Sequence, residues 1–277
     1  MPIDFRLMLG FEICRSYRDV LESTKAAEDL GFTAMFRGDH LLGVDGRMDT
    51  SITEAWTCLA GLARETTRIR LGTLVSPVTF RQPAVLARMV ATVHEMSDGR
   101  ADVGLGAGWY EPEHEGFGLP LPPWPERFDH LEEQLAIVRG LLTQDHVVHE
   151  GRHYRVATSL GAYHGDRPTP PIVVGGNGKP RTISLAARFA DELNLDQVLD
   201  VDDVRRAFDR LDVDLAAAGR SRDAVVRSNV VPFPNDFGAA ADWYAAMAAA
   251  GIQRLYVRRT AATSLAEIGA FARRFIA

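Results

Sequence analysis

Apolar, strand-like segments alternate with helix-like segments along the whole chain, eight of each. The strand candidates are near-continuous apolar runs, which is typical of parallel strands whose two faces are both covered. They cover residues 5–13, 33–37, 69–75, 101–105, 171–174, 192–195, 224–231 and 252–257. The helix candidates cover residues 17–30, 53–66, 83–96, 125–142, 179–190, 201–218, 238–249 and 264–275. This alternation predicts an α/β fold, either a closed barrel or a doubly wound sheet.

The length of the chain favours the barrel. A (β/α)8 barrel needs roughly 250 residues, and no linker or change of composition divides the 277 residues of this chain. We therefore predict one α/β domain over residues 1–277, a single (β/α)8 TIM barrel, with Thr53 capping its second helix. Two insertions interrupt the alternation of strands and helices. The first is a proline-rich turn at 120–125, after the fourth strand, and the second is a hairpin at 147–154, before the fifth strand.

The composition excludes several classes of protein. The formal net charge is −6 and no basic run exceeds two residues, so we expect no binding to nucleic acid or to an anionic membrane. The chain has no window of 18 uncharged apolar residues, and its first residues lack the pattern of a signal peptide. Cys14 and Cys58 lie in apolar segments without metal-like spacing, which predicts buried free thiols and a cytoplasmic location.

A glycine-rich segment, Gly104-Leu-Gly-Ala-Gly108, follows the fourth strand candidate. It lacks the third glycine of a dinucleotide-binding fingerprint because Trp109 occupies that position, and we reject a Rossmann domain. Residues without a side chain let the backbone approach a flat or anionic ligand closely. We therefore predict cofactor contacts at Gly106, Ala107 and Gly108, with a tight turn before a helix as the alternative.

A second glycine-rich segment, Gly175-Gly-Asn-Gly178, lies between the fifth strand candidate and a helix that begins at Lys179. Small residues at a helix N-terminus leave backbone N–H donors facing outward, with the positive end of the helix dipole behind them. Lys179 and Arg181 would add positive charge at the rim. We predict that these four residues bind a phosphate, with a plain capping loop as the alternative.

Polar residues also follow the first three strand candidates, where a barrel has its mouth. Asp39 and His40 follow the second strand, and a histidine there can move a proton near neutral pH. Glu12, at the end of the first strand, is a second candidate acid or base. Ser76-Pro77 ends the third strand, where the proline restricts Ser76 to an extended backbone. The alternative is that Asp39 caps a turn and His40 is merely exposed.

The hairpin segment carries three histidines, His146, His149 and His153, at a spacing that resembles a zinc-binding array. Alternation along the hairpin would send these side chains to different faces, and no cysteine or nearby carboxylate pair completes a site. We therefore predict that no metal is bound.

Several of these segments together resemble the luciferase-like monooxygenase superfamily and, within it, the actinobacterial F420-dependent oxidoreductases. The resemblance covers nearly the whole chain. It rests on Phe36-Arg-Gly-Asp-His40, Trp56-Thr-Cys-Leu-Ala-Gly-Leu-Ala-Arg-Glu65, Ile69-Arg-Leu-Gly-Thr-Leu-Val-Ser-Pro77, Met96-Ser-Asp-Gly-Arg100, Gly104-Leu-Gly-Ala-Gly-Trp109, Phe128-Asp-His-Leu-Glu-Glu-Gln134 and Val174-Gly-Gly-Asn-Gly178.

The resemblance implies a TIM barrel that holds a flavin-like ring at the carboxyl ends of its strands. In relatives, a non-proline cis peptide bond at the end of the third strand props the ring, and here it would fall at Leu74–Val75. Relatives also place the backbone near Ala107 and Gly108 beside the ring, and the loop 175–178 near the phosphate. The residue matching His40 lies close to the reactive carbon in several of them.

Two positions depart from the pattern of the family. Some family dehydrogenases carry a glutamate proton donor where this chain has Ala107, which argues against a sugar-phosphate dehydrogenase activity. A frequent asparagine after the Gly-Trp pair is Tyr110 here, so backbone groups would replace that contact to the cofactor.

From this resemblance we expect an F420-dependent oxidoreductase that moves a hydride between C5 of the deazaflavin and an electrophilic carbon (C=N, activated C=C or C=O) of a small organic substrate. His40 is the expected acid or base, positioned by Asp39, with Glu12 as the second candidate. The expected cofactor contacts are Asp39, His40, Leu74, Val75, Ser76, Gly106, Ala107, Gly108, Gly175, Gly176, Asn177 and Gly178.

Other expectations concern partners and alternatives. Relatives are often homodimers, and we expect the same of this chain. The walls of the substrate pocket are expected among residues 41–51, 111–125 and 161–171. An FMN-dependent monooxygenase that uses dioxygen is the first alternative function, and a flavin-binding protein without catalytic activity is the second.

Overall fold

The predicted barrel is confirmed. The structure is a computed structural model that describes residues 3–44, 51–158 and 167–276. Its strands are β1 (Asp4–Leu9), β2 (Ala34–Arg37), β3 (Arg70–Thr73) continued by β4 (Ser76–Pro77), β5 (Ala101–Gly106), β6 (Val147–Glu150), β7 (Arg155–Thr158), β8 (Ile172–Gly176), β9 (Glu192–Asp196), β10 (Val226–Pro232) and β11 (Arg254–Arg259). Within these residues the strands other than β6 and β7 are parallel neighbours, and the pairs β1–β11 and β3–β5 close the ring.

Helices cover the outside of the barrel. They are α1 (Tyr17–Asp29), α2 (Ala55–Glu65), α3 (Pro83–Met96), α4 (Glu111–Phe117), α5 (Trp124–Thr143), α6 (Pro180–Phe189), α7 (Val201–Ala217), α8 (Phe237–Ala249) and α9 (Leu265–Phe275). The connection between β5 and β8 contains α4, α5 and the antiparallel hairpin of β6 and β7, so both predicted insertions fall in it. In the part of the chain that the structure describes, none of the helices has both the length and the apolar character needed to cross a membrane.

Two local predictions are wrong. The first strand ends at Leu9, because the chain turns at Gly10 and then forms a short 3-10 helix over Ile13–Arg15. The cap of α2 is Glu54, whose carboxylate accepts hydrogen bonds from the first N–H groups of the helix, and not Thr53. The hydroxyl of Thr53 instead accepts a 2.8 Å hydrogen bond from the guanidinium of Arg37.

The strands bury side chains on both faces, as parallel strands in a closed barrel must. A large cluster of apolar residues fills the space between the strands and the helices. A smaller cluster fills the inside of the barrel, and its buried members are Ala34, Phe36, Leu74, Val173, Val230 and Tyr256. Phe36 and Tyr256 meet there edge to face, with ring centroids 5.0 Å apart.

Val75 packs against this inner cluster in a space that three glycines leave open. A Cβ atom would lie 2.5 Å from the Val75 side chain at Gly106 and 2.6 Å from it at Gly175. At Gly104 a Cβ would lie 2.1 Å from the carbonyl oxygen of Thr73. These glycines therefore make room for the protein's own chain at the end of the third strand, whereas the sequence led us to explain them by the approach of a ligand.

We expect Gly106→Ala to destabilise the protein, because the added methyl group would collide with Val75. Overpacking of this kind costs about 1–3 kcal/mol of the free energy of unfolding, and denaturant titration measures it. The double variant Val75→Ala with Gly106→Ala should recover part of the loss. A matched control is Gly140→Ala in α5. There the new Cβ would lie 3.4 Å from the side chain of Val147, which is close to an ordinary contact distance. A Gly106→Ala protein as stable as the wild type would contradict the packing argument.

Candidate functional site

A buried polar network joins the ends of β2 and β3. The carboxylate of Asp39 accepts hydrogen bonds from Arg81 at 2.6 and 3.1 Å and from the hydroxyl of Ser76 at 2.5 Å. The Ser76 hydroxyl in turn accepts a 3.1 Å hydrogen bond from the indole of Trp56. Arg81 also pairs with Glu54, the cap of α2. The network fastens the third strand to the loop after the second.

Arg81 is held as a cation in this network. Burial by itself would lower the pKa of its guanidinium, but the carboxylates of Asp39 and Glu54 raise that pKa on balance. For Glu54 the two effects have the opposite signs. Burial by itself would raise the pKa of its carboxyl group, but hydrogen bonds from Thr57 and the cation of Arg81 lower that pKa on balance. Both carboxylate oxygens of Asp39 accept hydrogen bonds within this network, so the carboxylate ties the two strand ends together.

His40 is positioned by Glu113. Its Nδ1 lies 3.0 and 3.2 Å from the two carboxylate oxygens of Glu113, and the backbone N–H of Leu41 donates to the same carboxylate at 2.9 Å. Glu113 is buried in α4, with 1% of its surface exposed. The rings of Trp109 and Tyr110 meet the imidazole edge to face. The interpretation that Asp39 positions His40 is therefore wrong.

The sequence contained a weak signal for Glu113. The stretch from Trp109 to Glu115 holds three carboxylates, but the sequence does not show which of them faces inward. The structure selects Glu113, because α4 turns it toward β2 while Glu111 and Glu115 remain exposed. Since Glu113 accepts at Nδ1, the nitrogen of His40 that remains for a ligand is Nε2.

His114 fixes the backbone that follows β5. Its Nδ1 lies 2.7 Å from the carbonyl oxygen of Tyr110, which only accepts, so Nδ1 carries the proton. Its Nε2 then accepts a hydrogen bond from the hydroxyl of Thr79 at 2.7 Å. Gly108 adopts a left-handed backbone conformation, with φ 75°. Its carbonyl oxygen accepts a 2.6 Å hydrogen bond from the guanidinium of Arg127. The predicted contacts at Gly106, Ala107 and Gly108 thus lie on a braced segment.

The loop of residues 175–178 leads into α6 as predicted. Gly178 has φ 70° and Gly176 has φ 157°, so both adopt backbone conformations that favour glycine. The side chain of Lys179, the residue before the helix, makes no capping hydrogen bond, and the first residue of the helix is Pro180. Among the described residues no side chain accepts a hydrogen bond from the backbone N–H groups at this end, which suits an anion.

Arg181 does not lie at the rim of this loop as we expected. Its guanidinium pairs with Asp129 at 2.7 Å and donates to the carbonyl of Pro125 at 3.0 Å, so it is turned toward α5. Its guanidinium also lies over the ring of Phe128. Arg181 therefore joins α6 to α5. The hydrogen-bond donors that remain for an anion at this loop are mainly backbone N–H groups.

Two further features concern residues predicted for the mouth of the barrel, and the first of them is confirmed. The peptide bond Leu74–Val75 is cis. Glu12 has a carboxylate oxygen, Oε2, that is buried and has no hydrogen-bond partner within the described residues. Glu12 lies in the turn after β1 and not at the end of that strand, and its role as an acid or base stays a prediction.

A cavity of about 850 Å³ opens among the loops that follow β9, β10 and β11. Its lining combines apolar groups such as Phe233 and Pro232 with the cation of Arg258. Residues 45–50 and 161–166, which belong to the expected pocket loops, lie outside the described residues.

The chain belongs to the luciferase-like monooxygenase family, whose family profile matches residues 3–272. Among its relatives is an F420-dependent glucose-6-phosphate dehydrogenase of Microbacterium testaceum, 33% identical over 213 residues, which are 75% of this chain and 61% of that protein. A protein of the same name from Intrasporangium calvum is 32% identical over 225 residues, 76% of this chain and 63% of that protein. The chain thus spans about three fifths of the length of these relatives.

Solved structures share the fold at low identity. An F420-dependent secondary alcohol dehydrogenase in complex with an F420-acetone adduct superposes with a TM-score of 0.82 at 18% identity, covering 99% of this chain and 98% of that one. A coenzyme F420 dependent tetrahydromethanopterin reductase from Methanopyrus kandleri gives 0.79 at 18% identity, covering 100% and 99%. These matches confirm the barrel.

We expect Arg81→Met to lower the free energy of unfolding by about 3–5 kcal/mol, because it leaves the carboxylate of Asp39 buried without its cation. Denaturant titration measures the loss. The control is Arg188→Met, which breaks an exposed pair with Glu132 and should cost no more than about 1 kcal/mol. Adding Asp39→Asn to Arg81→Met should recover part of the loss, and equal effects of Arg81→Met and Arg188→Met would contradict the assignment.

Proposed function

We propose that the chain is a single-domain F420-dependent oxidoreductase that moves a hydride between C5 of the deazaflavin and an electrophilic carbon of a small organic substrate. The observation that carries the proposal is the pairing of His40 with the buried carboxylate of Glu113 at the mouth of the barrel. Support comes from the family and from relatives named F420-dependent dehydrogenases. The electrophilic group is C=N, activated C=C or C=O.

The residues at the mouth fit a deazaflavin. Leu74, Val75 and Ser76 form the end of the third strand beside the braced backbone of residues 106–108. The loop 175–178 and the uncapped start of α6 offer backbone donors for the phosphate. When bound, F420 supplies the carbon that gives or accepts the hydride.

His40 is proposed to move the proton that accompanies the hydride. Glu113 accepts at Nδ1, so a neutral His40 carries its proton there and presents the lone pair of Nε2. Nε2 takes a proton when the substrate is oxidised and returns it when a carbonyl or imine is reduced. Glu113 is the positioning residue for this step, in place of Asp39. Glu12, with its unpartnered oxygen, is the second candidate acid or base.

Replacing His40 by Ala should slow turnover by about 10²–10⁴ if the imidazole relays the proton. Glu113→Gln should cause a smaller loss, because the amide keeps a hydrogen bond to His40 without its charge. Steady-state kinetics over a range of pH measures both, and nitrogen NMR of His40 should show the Nδ1–H tautomer in the wild type. The matched control is His146→Ala, an exposed histidine that should leave the rate unchanged. An unchanged rate in His40→Ala would remove His40 from this role.

The choice of cofactor is tested by titrating the apoprotein with F420 and with FMN while following fluorescence. We expect F420 to bind, because its phosphate and acidic tail suit the donors of the loop 175–178. Micromolar binding of FMN without binding of F420 would favour the monooxygenase alternative. Binding of F420 with no hydride acceptor in a broad substrate screen would favour a protein without catalytic activity.

We also propose that the protein is a homodimer, as its relatives often are, and that it is located in the cytoplasm. The two cysteines support the location. Cys14 and Cys58 are free and buried, and burial raises the pKa of the Cys14 thiol to about 11. Protonated, inaccessible thiols of this kind are typical of proteins in a reducing compartment. Light scattering of the purified protein measures the oligomeric state.

A further inference from the structure

The inserted connection between β5 and β8 brings together three metal-ligating side chains outside the site described above. Glu126 and His130 lie one turn apart on α5, and His153 lies in the turn of the β6–β7 hairpin. One ligand atom from each residue lies within 4.8 Å of the others. Glu126 Oε1 and His130 Nε2 are 3.9 Å apart, too far for a hydrogen bond.

The imidazole rings of His130 and His153 are in tilted contact, and within the described residues no hydrogen bond joins them. Their ring centroids are 3.9 Å apart, with an angle of 33° between the planes. The Nε2 atom of His153 is buried and has no hydrogen-bond partner in the part of the chain that the structure describes. A buried imidazole nitrogen without a partner needs either a hydrogen-bond donor or metal ion for its lone pair, or an acceptor for its N–H.

The supporting residues hold these ligands in place. The Tyr154 hydroxyl lies 3.1 Å from Nδ1 of His130, which leaves Nε2 of that ring for a ligand. Glu133 accepts hydrogen bonds from the backbone N–H groups of Arg152, His153 and Tyr154 at 2.9 to 3.2 Å and so fixes the hairpin turn. Hydrogen-bonded outer residues of this kind orient metal-binding histidines and preorganise a site.

We propose that Glu126, His130 and His153 bind a divalent transition-metal ion of the zinc class, with water in the open position. Two imidazoles and one carboxylate are a common ligand set for zinc, whose bonds to nitrogen and oxygen are about 2.0–2.2 Å. Such bonds place tetrahedral ligand atoms a little over 3 Å apart, so the exposed side chain of Glu126 closes the site by a small movement. Magnesium and calcium prefer oxygen ligands and fit this set poorly.

The ion would join the hairpin to α5. Arg127, next to Glu126 on α5, donates to the carbonyl of Gly108, so the metal site lies beside the helix end that braces the candidate cofactor site. The expected role is structural, since the ion would add a link between two elements that already meet through the hydrogen bonds of Glu133 and the contact of Tyr154 with His130.

The test is calorimetric titration of the full chain, stripped of metal, with ZnCl2. We expect one site per chain, no competition from MgCl2, and a rise in melting temperature of roughly 5–10 °C at a hundredfold excess of zinc over its Kd. Replacing zinc by Co²⁺ should give the visible absorption bands of a four-coordinate ion. His153→Ala, His130→Gln and Glu126→Gln should each weaken zinc binding at least about tenfold.

Controls separate this site from others. His146→Gln, an exposed histidine of the same hairpin region, and His40→Ala, at the barrel mouth, should bind zinc like the wild type. The metal-free melting temperature of each variant shows whether it folds. The proposal is overturned if the stripped wild type binds no zinc, or if folded His153→Ala binds it with unchanged affinity.

Discussion

The packing of Val75 between glycines is the constraint on which the mouth of the barrel depends. Gly104 and Gly106 on β5 and Gly175 on β8 present no side chains toward the third strand, and Val75 occupies the space they leave. Close-packed interiors tolerate an added methyl group poorly. The position of this strand end therefore depends on the absence of side chains at these three glycines. The proposed cofactor contacts from Leu74 to Ser76 lie on that strand end.

Two buried carboxylates near the mouth have different roles because they have different partners. Asp39 is neutralised by Arg81, a permanent cation, and therefore holds the wall together. Glu113 meets His40, an imidazole that can both donate and accept a proton, and this is the pair that we propose for the proton transfer. Asp39 and His40 are adjacent in sequence, but in the described structure their side chains hydrogen-bond to different partners, Asp39 to Arg81 and Ser76 and His40 to Glu113.

The connection between β5 and β8 supplies several side chains near the mouth of the barrel. It supplies Glu113 to His40, Arg127 to the carbonyl of Gly108, and the cluster of Glu126, His130 and His153. Loops at the carboxyl ends of barrel strands commonly carry functional residues because the rigid scaffold positions them. The sequence analysis considered only His146, His149 and His153 as metal ligands. The structure instead brings His153 close to Glu126 and His130 of α5.

The order of strands and helices could be predicted from the residues, because it follows from local periodicity and backbone preference. Periodicity left a closed barrel and a doubly wound sheet open, and the length of the chain favoured the barrel. The sequence also located the cis bond at Leu74–Val75, through the resemblance to a family. The tertiary structure alone decided which charges meet. Glu113 lies 73 residues from His40, and Arg181 lies 52 residues from Asp129, the partner that removes it from the phosphate loop. Contacts across such distances depend on how helices pack on the barrel, which no local pattern of residues records.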